Sequence, residues 1–383
     1  MKYTFKILKE VDAQKWDHDL SKIDYADTFQ TAEYLSHKSF EEKRTPFFIY
    51  VYDDTGNVKG QLGLVVQKSV TIYSSPVLSK IINLFAKLGI RALWIHGPIL
   101  HTQDKKARIE ILHTIIKALE ALTKKENIVL LGGYTPHGDY LIDEDFKNEF
   151  RRNGYQIIDQ YTFATDLNEN IDKIWEGIEK SSRNDVTRAK KRNITVKELE
   201  YKDLHEYFSL GQKWAKTKGI EKSVPMNQRE EYWEYYKSGV EKVFLAHEKG
   251  ELISGLRVGC FNGVVQTFQV VSSYSKPASL GGPLLTWHAI EWAKNAGMKI
   301  YDFSGGLSPP SDEKEKKKYE EWWSGLFSYK KKWGGREFPY YNVLKIRRKK
   351  TYKLFRALSE IDWSYRNYKH KMYKKPKKEN KNS

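Results

Sequence analysis

The residues best placed for chemistry lie between Lys299 and Val343. Asp302 sits near the end of Lys299–Phe303, an apolar and aromatic run suited to a buried strand. Ser304-Gly305-Gly306 follows, where glycine permits a sharp turn or a close approach to a ligand. After an insert of mixed charge, Gly325–Trp333 alternates. Phe327, Tyr329, Lys331 and Trp333 fall on one side, and Leu326, Ser328, Lys330 and Lys332 on the other. That pattern predicts a second strand, closed by Gly334-Gly335. Two strands ending in glycine pairs, with lysines set between aromatics, suit the wall of a site better than plain core. A second candidate is the basic run Arg183–Arg192. There Arg183 and Arg188 have the planar fork that grips phosphate or carboxylate better than a point charge does. The same run also reads as a solvated basic helix bridging two domains.

Other chemistries find no support. The histidines show no His-x-x-x-His pair flanking a glutamate, which argues against a zinc hydrolase. Neither a Gly-x-Ser-x-Gly elbow nor a Walker loop occurs. His96, His101, His113 and His288 read as ordinary surface or core histidines. Tyr340-Tyr341 and the aromatic residues of the tail suit base stacking, but no RNA-module pattern accompanies them.

The elements that must position these residues repeat. Phe47–Val66 reads as strand, Asp-Asp-Thr-Gly-Asn turn, strand; Val243–Phe261 reads the same way around Glu-Lys-Gly-Glu. Gly97-Pro98 precedes a helix with Ile109, Leu112, Ile116 and Leu119 on one face. Gly282-Pro283 opens another, with Leu285, Ala289, Trp292, Ala293 and Ala296 on one face and Gly297 as its stop. Each helix leads into an apolar strand, Ile128–Leu131 or Lys299–Phe303. Hairpin, glycine-rich loop, helix, strand is the core order of a GNAT acyltransferase unit. Between the halves, Ile171, Ile174, Trp175 and Ile178 form a helical stripe with Asn168 or Asn170 as its N-cap.

At 383 residues the chain has room for two domains, and 40% hydrophobic content excludes global disorder. Its one cysteine, Cys260, rules out an internal disulfide and suits a reducing cytosol. Met1–Glu10 alternates like a strand instead of forming a charged-then-apolar leader. Ile81–Leu100, the most apolar region, is broken by Lys87, Arg91, His96 and Gly97-Pro98, so it is no membrane span.

Asp302-Phe303-Ser304-Gly305-Gly306 and Tyr329-Lys330-Lys331-Lys332-Trp333-Gly334-Gly335, in that order, resemble the FemABX-like family of peptidyl-bridge aminoacyltransferases. The second run is similar to the family's Phe-Lys-x-x-Phe-Gly strand. Trp175, Arg183, Ala189 and Lys191 match the family's Trp…Arg-x-x-x-Arg-Lys-Ala-x-Lys run, with Arg188 at its lysine, Thr187 in place of the second arginine, and Asn193 in place of the closing glycine. Thr28–Tyr34 resembles the family's Phe-x-Gln-Ser-x-x-Trp helix, which puts Lys38 at its acceptor-binding lysine. The resemblance covers most of the chain. It implies an α+β fold of two GNAT-like domains with mixed sheets flanked by helices: residues 1–166 and 196–346, joined by basic helices at 167–195 and followed by a basic helical tail at 347–383.

The function implied is transfer of an aminoacyl group from aminoacyl-tRNA to an amine of a cell-envelope or peptidoglycan-type precursor, with no cofactor, in the cytoplasm or at the inner face of the membrane. Lys330 would face the developing oxyanion or the donor phosphate. Asp302 would orient or deprotonate the amine. A carboxylate near pKa ~4 is a weak base for an amine near ~10, so substrate-assisted proton transfer stands beside it. Lys38, Arg183, Arg188, Tyr329 and Trp333 would contact substrate. Gly281 and Gly282 would line the donor loop, Lys276–Pro283, which lacks the first glycine of the usual acyl-CoA pattern and loses one N–H donor at Pro283. Acyl-CoA stays open as the donor, and a non-catalytic RNA- or membrane-binding protein stays open as another class. The long coiled-coil arm that some members of the family carry has no counterpart here, since no heptads are sustained.

The net charge is +17, and Lys345–Ser383 holds fifteen Lys or Arg against Glu360, Asp362 and Glu379. Most of the excess charge therefore lies in the tail, either as a solubilising terminus or as an anchor for tRNA or anionic lipid. Leu354, Phe355, Leu358 and Ile361 suggest an apolar stripe before the lysine-rich end. Truncation after Lys349 is expected to weaken salt-sensitive binding to tRNA or to anionic vesicles, read by titration at two salt concentrations. Equal binding by both forms would remove the anchor.

Overall fold

The computed structural model describes residues 2–41, 44–68, 90–137, 143–217, 228–273, 278–305, 325, 327–354 and 357. The first half comprises β1 (Thr4–Leu8), α1 (Ala13–Ser21), a 3-10 turn at Thr28–Gln30, α2 (Ala32–Glu41), β2 (Thr45–Tyr52), β3 (Val58–Gln67), β4 (Arg91–Trp94), β5 (Ile99–Leu100), α3 (Lys105–Glu126), β6 (Leu130–Tyr134), α4 (Glu144–Arg152) and β7 (Gln156–Asp166). The basic connector is α5 (Ile171–Gly177) and α6 (Lys180–Lys191). The second half comprises β8 (Thr195–Glu198), α7 (Leu204–Thr217), α8 (Arg229–Lys237), β9 (Glu241–Glu248), β10 (Glu251–Phe261), β11 (Val264–Ser272), α9 (Ala278–Asn295), β12 (Ile300–Asp302) and β13 (Arg336–Ile346).

Turn chemistry builds the two expected hairpins. Asp53 Oδ1 accepts from the Thr55 and Asn57 amides and so closes β2 onto β3. Lys249 (φ 53°) and Gly250 (φ 85°) make the two-residue turn between β9 and β10. Asn262-Gly263, also left-handed, joins β10 to β11. The long helix after each hairpin buries the face that its periodicity marks: Leu112, Ile116 and Leu119 on α3, and Leu285, Ala289 and Ala293 on α9. Each packs on its own half of the sheet to make a core.

The sheet runs without a break through both halves, in the order β1-β2-β3-β4-β6-β13-β7-β12-β11-β10-β9-β8, with β5 on β3. Among the described residues, only β4/β6 and β11/β12 pair in parallel. The halves join where β7 hydrogen-bonds β12, Asp302 standing opposite Ala164. β13 leaves the second half and inserts antiparallel between β6 and β7 of the first. The expected boundary at 346 thus assigns to the second domain a strand that completes the first half's sheet. Tyr340 and Tyr341 lie on that strand, each 2% exposed, so they pack in the interior and are not a platform for nucleic-acid bases.

One further expectation needs correction. α9 begins at Ala278, so Gly282-Pro283 lies within it and does not open it. The connector breaks at Ile178-Glu179, between α5 and α6, and α6 runs through Ser181-Ser182. Asn170 supplies the N-cap of α5, accepting from the Asp172 amide. Phe355, Leu358 and Ile361 lie outside the described residues.

Candidate active site between the two halves

Asp302 ends β12 and is 1% exposed. Its Oδ1 accepts from Thr162 Oγ1 on β7 and from the Ser304 amide, both at 2.8 Å. The chain then turns through Ser304 (φ 52°) and Gly305 (φ 77°). Lys330 reaches that turn: its Nζ donates to the Gly305 carbonyl at 3.2 Å. At 5% exposure the ammonium is taken out of water. Burial pushes its pKa down to about 8 against the opposing pull of Asp302.

Lys330 does not stand on a strand. Residues 327–331 are helical, the Lys332 amide bonds to the Ser328 carbonyl, and Gly334 (φ 75°) stops the turn. Tyr329 and Trp333 are four apart, so a helix puts them on one face just as the alternating pattern does. Nine residues cannot separate the two periods, and the exit at Gly334-Gly335 is tight. A Cβ on Gly334 would stand 2.4 Å from the Gly177 carbonyl oxygen, and one on Gly335 2.7 Å from that of Ala164.

The first half supplies imidazoles and a second carboxylate. Asp27, 3% exposed, contacts His96 Nδ1 through Oδ2, and the same oxygen accepts from Gln266 Nε2 on β11 at 2.7 Å. His137, just beyond β6, lies with its ring centroid 4.1 Å from that of His96 and 4.7 Å from that of Tyr340 on β13. His137 Nδ1 is 3.4 Å from Asp302 Oδ2, close but not hydrogen-bonded. Burial pulls His96 toward the neutral form, but the Asp27 carboxylate outweighs it and raises its pKa. Burial and the neighbouring His96 push His137 down to about 4. His96 (φ 51°), like Ser304, holds a left-handed backbone that non-glycine residues rarely adopt, and such strain gathers at functional sites. The result is a buried cluster of two carboxylates, two imidazoles, an amide and an ammonium, drawn from both halves. Among the described residues, no group of three His, Cys, Asp or Glu is arranged to hold a metal ion.

No protein-family model matches the sequence, and no curated protein does. Solved structures do. FemX superposes with a TM-score of 0.66 at 15% identity, covering 91% of this chain and 99% of its own. The fold is that of FemX. L-PGS from Bacillus licheniformis superposes with a TM-score of 0.54 at 14% identity, covering 89% of this chain and 94% of its own. The tandem GNAT-like architecture is therefore the one that the sequence resemblance implied.

Within this FemX-like frame the expected site residues separate. Asp302 and Lys330 come together. Tyr329 and Trp333 turn inward: Tyr329 Oη bonds Thr286 Oγ1 on α9 at 2.9 Å, and the Trp333 ring, 1% exposed, packs near Phe303. They seat the helix that carries Lys330. Arg183 is half-buried on α6, whereas Arg188 is exposed and pairs with Asp185. Lys38 is half-buried near the end of α2, next to His37, whose ring stacks on Tyr235 at 4.0 Å.

Gly281 and Gly282 stand in the body of α9, whose free amides are those of its first turn. A Cβ on Gly281 would lie 2.7 Å from Ser254 Cβ, whereas one on Gly282 would meet Val270 at an ordinary 3.7 Å. Gly281→Ala is expected to destabilise the fold by about 1–3 kcal/mol through overpacking, and Gly282→Ala to be tolerated. Urea unfolding checks both, and equal losses would contradict the packing account.

Sequence reasoning missed Asp27, His96, His137 and Gln266. Their signal was weak, since each is isolated in sequence and only the fold brings them together. His96 beside a Gly-Pro turn was the available hint.

Proposed function

We propose that this chain is an acyltransferase that moves an aminoacyl group from aminoacyl-tRNA to an amine of a cell-envelope, peptidoglycan-type precursor. One observation carries the reading: a buried lysine held beside a buried carboxylate where the halves of a FemX-like fold meet. An aminoacyl ester is already activated, so positioning and charge stabilisation supply much of the acceleration. The amine nitrogen attacks the ester carbonyl carbon, and negative charge develops on the carbonyl oxygen. The tetrahedral adduct then collapses, the C–O bond to the ribose breaks, the nitrogen loses its proton and the leaving oxygen gains one. Lys330 serves the oxyanion. Asp302 orients the reacting groups. Arg183, Arg188 and Lys38 serve the anionic parts of donor or acceptor, and no cofactor takes part. The basic tail suits work at the inner face of an anionic membrane. No helix among the described residues is long and apolar enough to cross one.

Purified protein offered charged tRNA and acyl-CoA separately, with peptidoglycan-precursor amines as acceptors, tests the reading. Transfer from charged tRNA is expected. Transfer from acyl-CoA alone would overturn the donor assignment.

A pH dependence follows from Lys330. An oxyanion partner must be protonated, so kcat is expected to fall as pH rises through about 8, approaching tenfold per unit above it. Lys330→Arg should remove that limb. A rate that climbs through pH 8 in the wild type and not in Lys330→Arg would make Lys330 a base instead.

A further inference from the structure

Gln266 and Asp302 are register partners on the parallel strands β11 and β12, so their side chains leave the same face of the sheet side by side. Both are interior, at 0% and 1% exposure. Gln266 has its orientation fixed, because Nε2 donates to Asp27 Oδ2 at 2.7 Å, and Oε1 is therefore its acceptor end. Among the described residues Gln266 Oε1 has no donor. Asp302 takes two hydrogen bonds on Oδ1 and none on Oδ2. His137, whose Nδ1 lies 3.4 Å from Asp302 Oδ2, has its Nε2 as a third buried atom without a partner among the described residues. Buried acceptors left open in this way call for a partner, ordered water or a ligand.

The nearest donors do not reach Gln266 Oε1. Lys330 Nζ is on the Gly305 carbonyl, and His96 Nδ1 is on Asp27. The missing donor group must carry several N–H bonds and positive charge. A primary ammonium carries both.

We infer that Gln266, Asp302 and His137 form an ammonium pocket that takes the α-amino group of the donor's aminoacyl moiety. The inference rests on the acyl-transfer reading and narrows it to donors with a free α-amine. Two sources of ammonium exist, the donor's α-amine and the acceptor's amine, and chemistry separates them. A carboxylate stabilises the charged form of a bound amine. The acceptor must be neutral to attack, so a group held on Asp302 is held as the wrong species for a nucleophile. The donor's α-ammonium does not react, and its charge makes the adjacent carbonyl more electrophilic. It also lies within about 3 Å of the carbonyl oxygen, which matches a pocket whose neighbour is Lys330. His137, held neutral at about 4, keeps an acceptor nitrogen at neutral pH; the charged groups facing it are Asp302, His96 and Asp27, with Tyr340 packed alongside.

The test is binding by calorimetry. Amide-linked glycyl-, alanyl- and leucyl-adenosine, which cannot transfer, are compared with their N-acetyl counterparts. The wild type is expected to prefer at least one free-amino form by tenfold or more. Gln266→Met, close in shape, and Asp302→Asn should each shrink that preference while leaving the N-acetyl affinity in place. Equal binding of both forms, no binding of any probe, or a preference that survives both substitutions overturns the pocket. A transfer assay in which Gln266→Met raises KM for the acceptor and not for charged tRNA overturns the donor assignment. If the preference holds but no charged tRNA supports transfer, the pocket stands and the proposed reaction falls. If N-acetyl-aminoacyl-tRNA transfers as well as the free form, the reaction stands and the pocket falls.

Discussion

Replacing Lys330 with methionine is expected to lower kcat by about a hundred- to a thousandfold, the usual loss for one well-placed oxyanion donor, while the fold holds or gains stability. Both halves of that outcome come from one fact. The amine is 5% exposed, and burial has pushed its pKa to about 8. An unfolded chain would hold it near 10.4. Between those values the unfolded state binds a proton that the folded state has released, so stability rises with pH across that window. Below pH 8 the folded protein carries the full penalty of a buried charge, on the order of 3 kcal/mol at 1.36 kcal/mol per pH unit. Methionine removes the penalty together with the bond to the Gly305 carbonyl. The melting temperature at pH 7 should therefore stay level or rise, and its slope between pH 8 and 10.5 should flatten.

The neighbours give the contrast. Lys331 is exposed, with its Nζ 5.9 Å from the Phe327 ring centroid, and Lys332 lies 4.0 Å from Glu179. Lys331→Met and Lys332→Met should change stability by no more than about 0.5 kcal/mol and leave kcat in place. Three lysines behaving alike would reduce Lys330 to one more positive charge. A melting temperature that drops sharply in Lys330→Met alone would make it a structural residue.

The repeated halves were legible because their signals are local. Turn residues at 53–57 and 249–250, helical stripes on α3 and α9, and Asp302 at a strand end all follow from side-chain preference over a few residues. β13 was not legible in the same way. Whether Arg336–Ile346 pairs with its own half or inserts between β6 and β7 depends on partners about 170 to 220 residues away in sequence, and a strand pattern carries no information about its partner. Lys330 was found for its resemblance and its glycine neighbours, although the element beneath it was misread. Lys330 reaches Gly305 from a helix as well as it would from a strand. The histidines failed for a different reason. Asp27, His96, His137 and Gln266 come from four separated segments, and their chemistry exists only once β4, β6 and β11 are set into one sheet. The network of Glu241, Arg257 and Tyr232 is equally silent in sequence, and Tyr232 links it to His37 on α2.

Glu241 is 1% exposed and grips Arg257 with both oxygens, Nε to Oε1 at 3.0 Å and Nη2 to Oε2 at 2.8 Å. Tyr232 Oη donates to the same carboxylate, and its ring lies 5.6 Å from the guanidinium. Tyr232 and Tyr235 both meet His37 on α2, so this ion pair backs the contact between α8 and the helix that carries Lys38. Truncating the acid leaves a guanidinium buried without its partner, since Arg stays protonated at any accessible pH. Glu241→Ala is therefore expected to lose about 3–5 kcal/mol. The buried pair itself contributes far less, because its attraction is offset by the desolvation of both charges. Replacing both partners, Glu241→Leu with Arg257→Met, should recover most of the loss in urea unfolding. The same double variant reports on function. If the network only fills space, the double variant should restore the KM for acceptor along with stability. If it sets the angle of α2, stability should return while KM stays raised, because Tyr232 has lost the carboxylate that fixes it beneath His37. A Glu241→Ala protein as stable as the wild type would show that Arg257 finds another anion or water, and the network would then have no claim on α2.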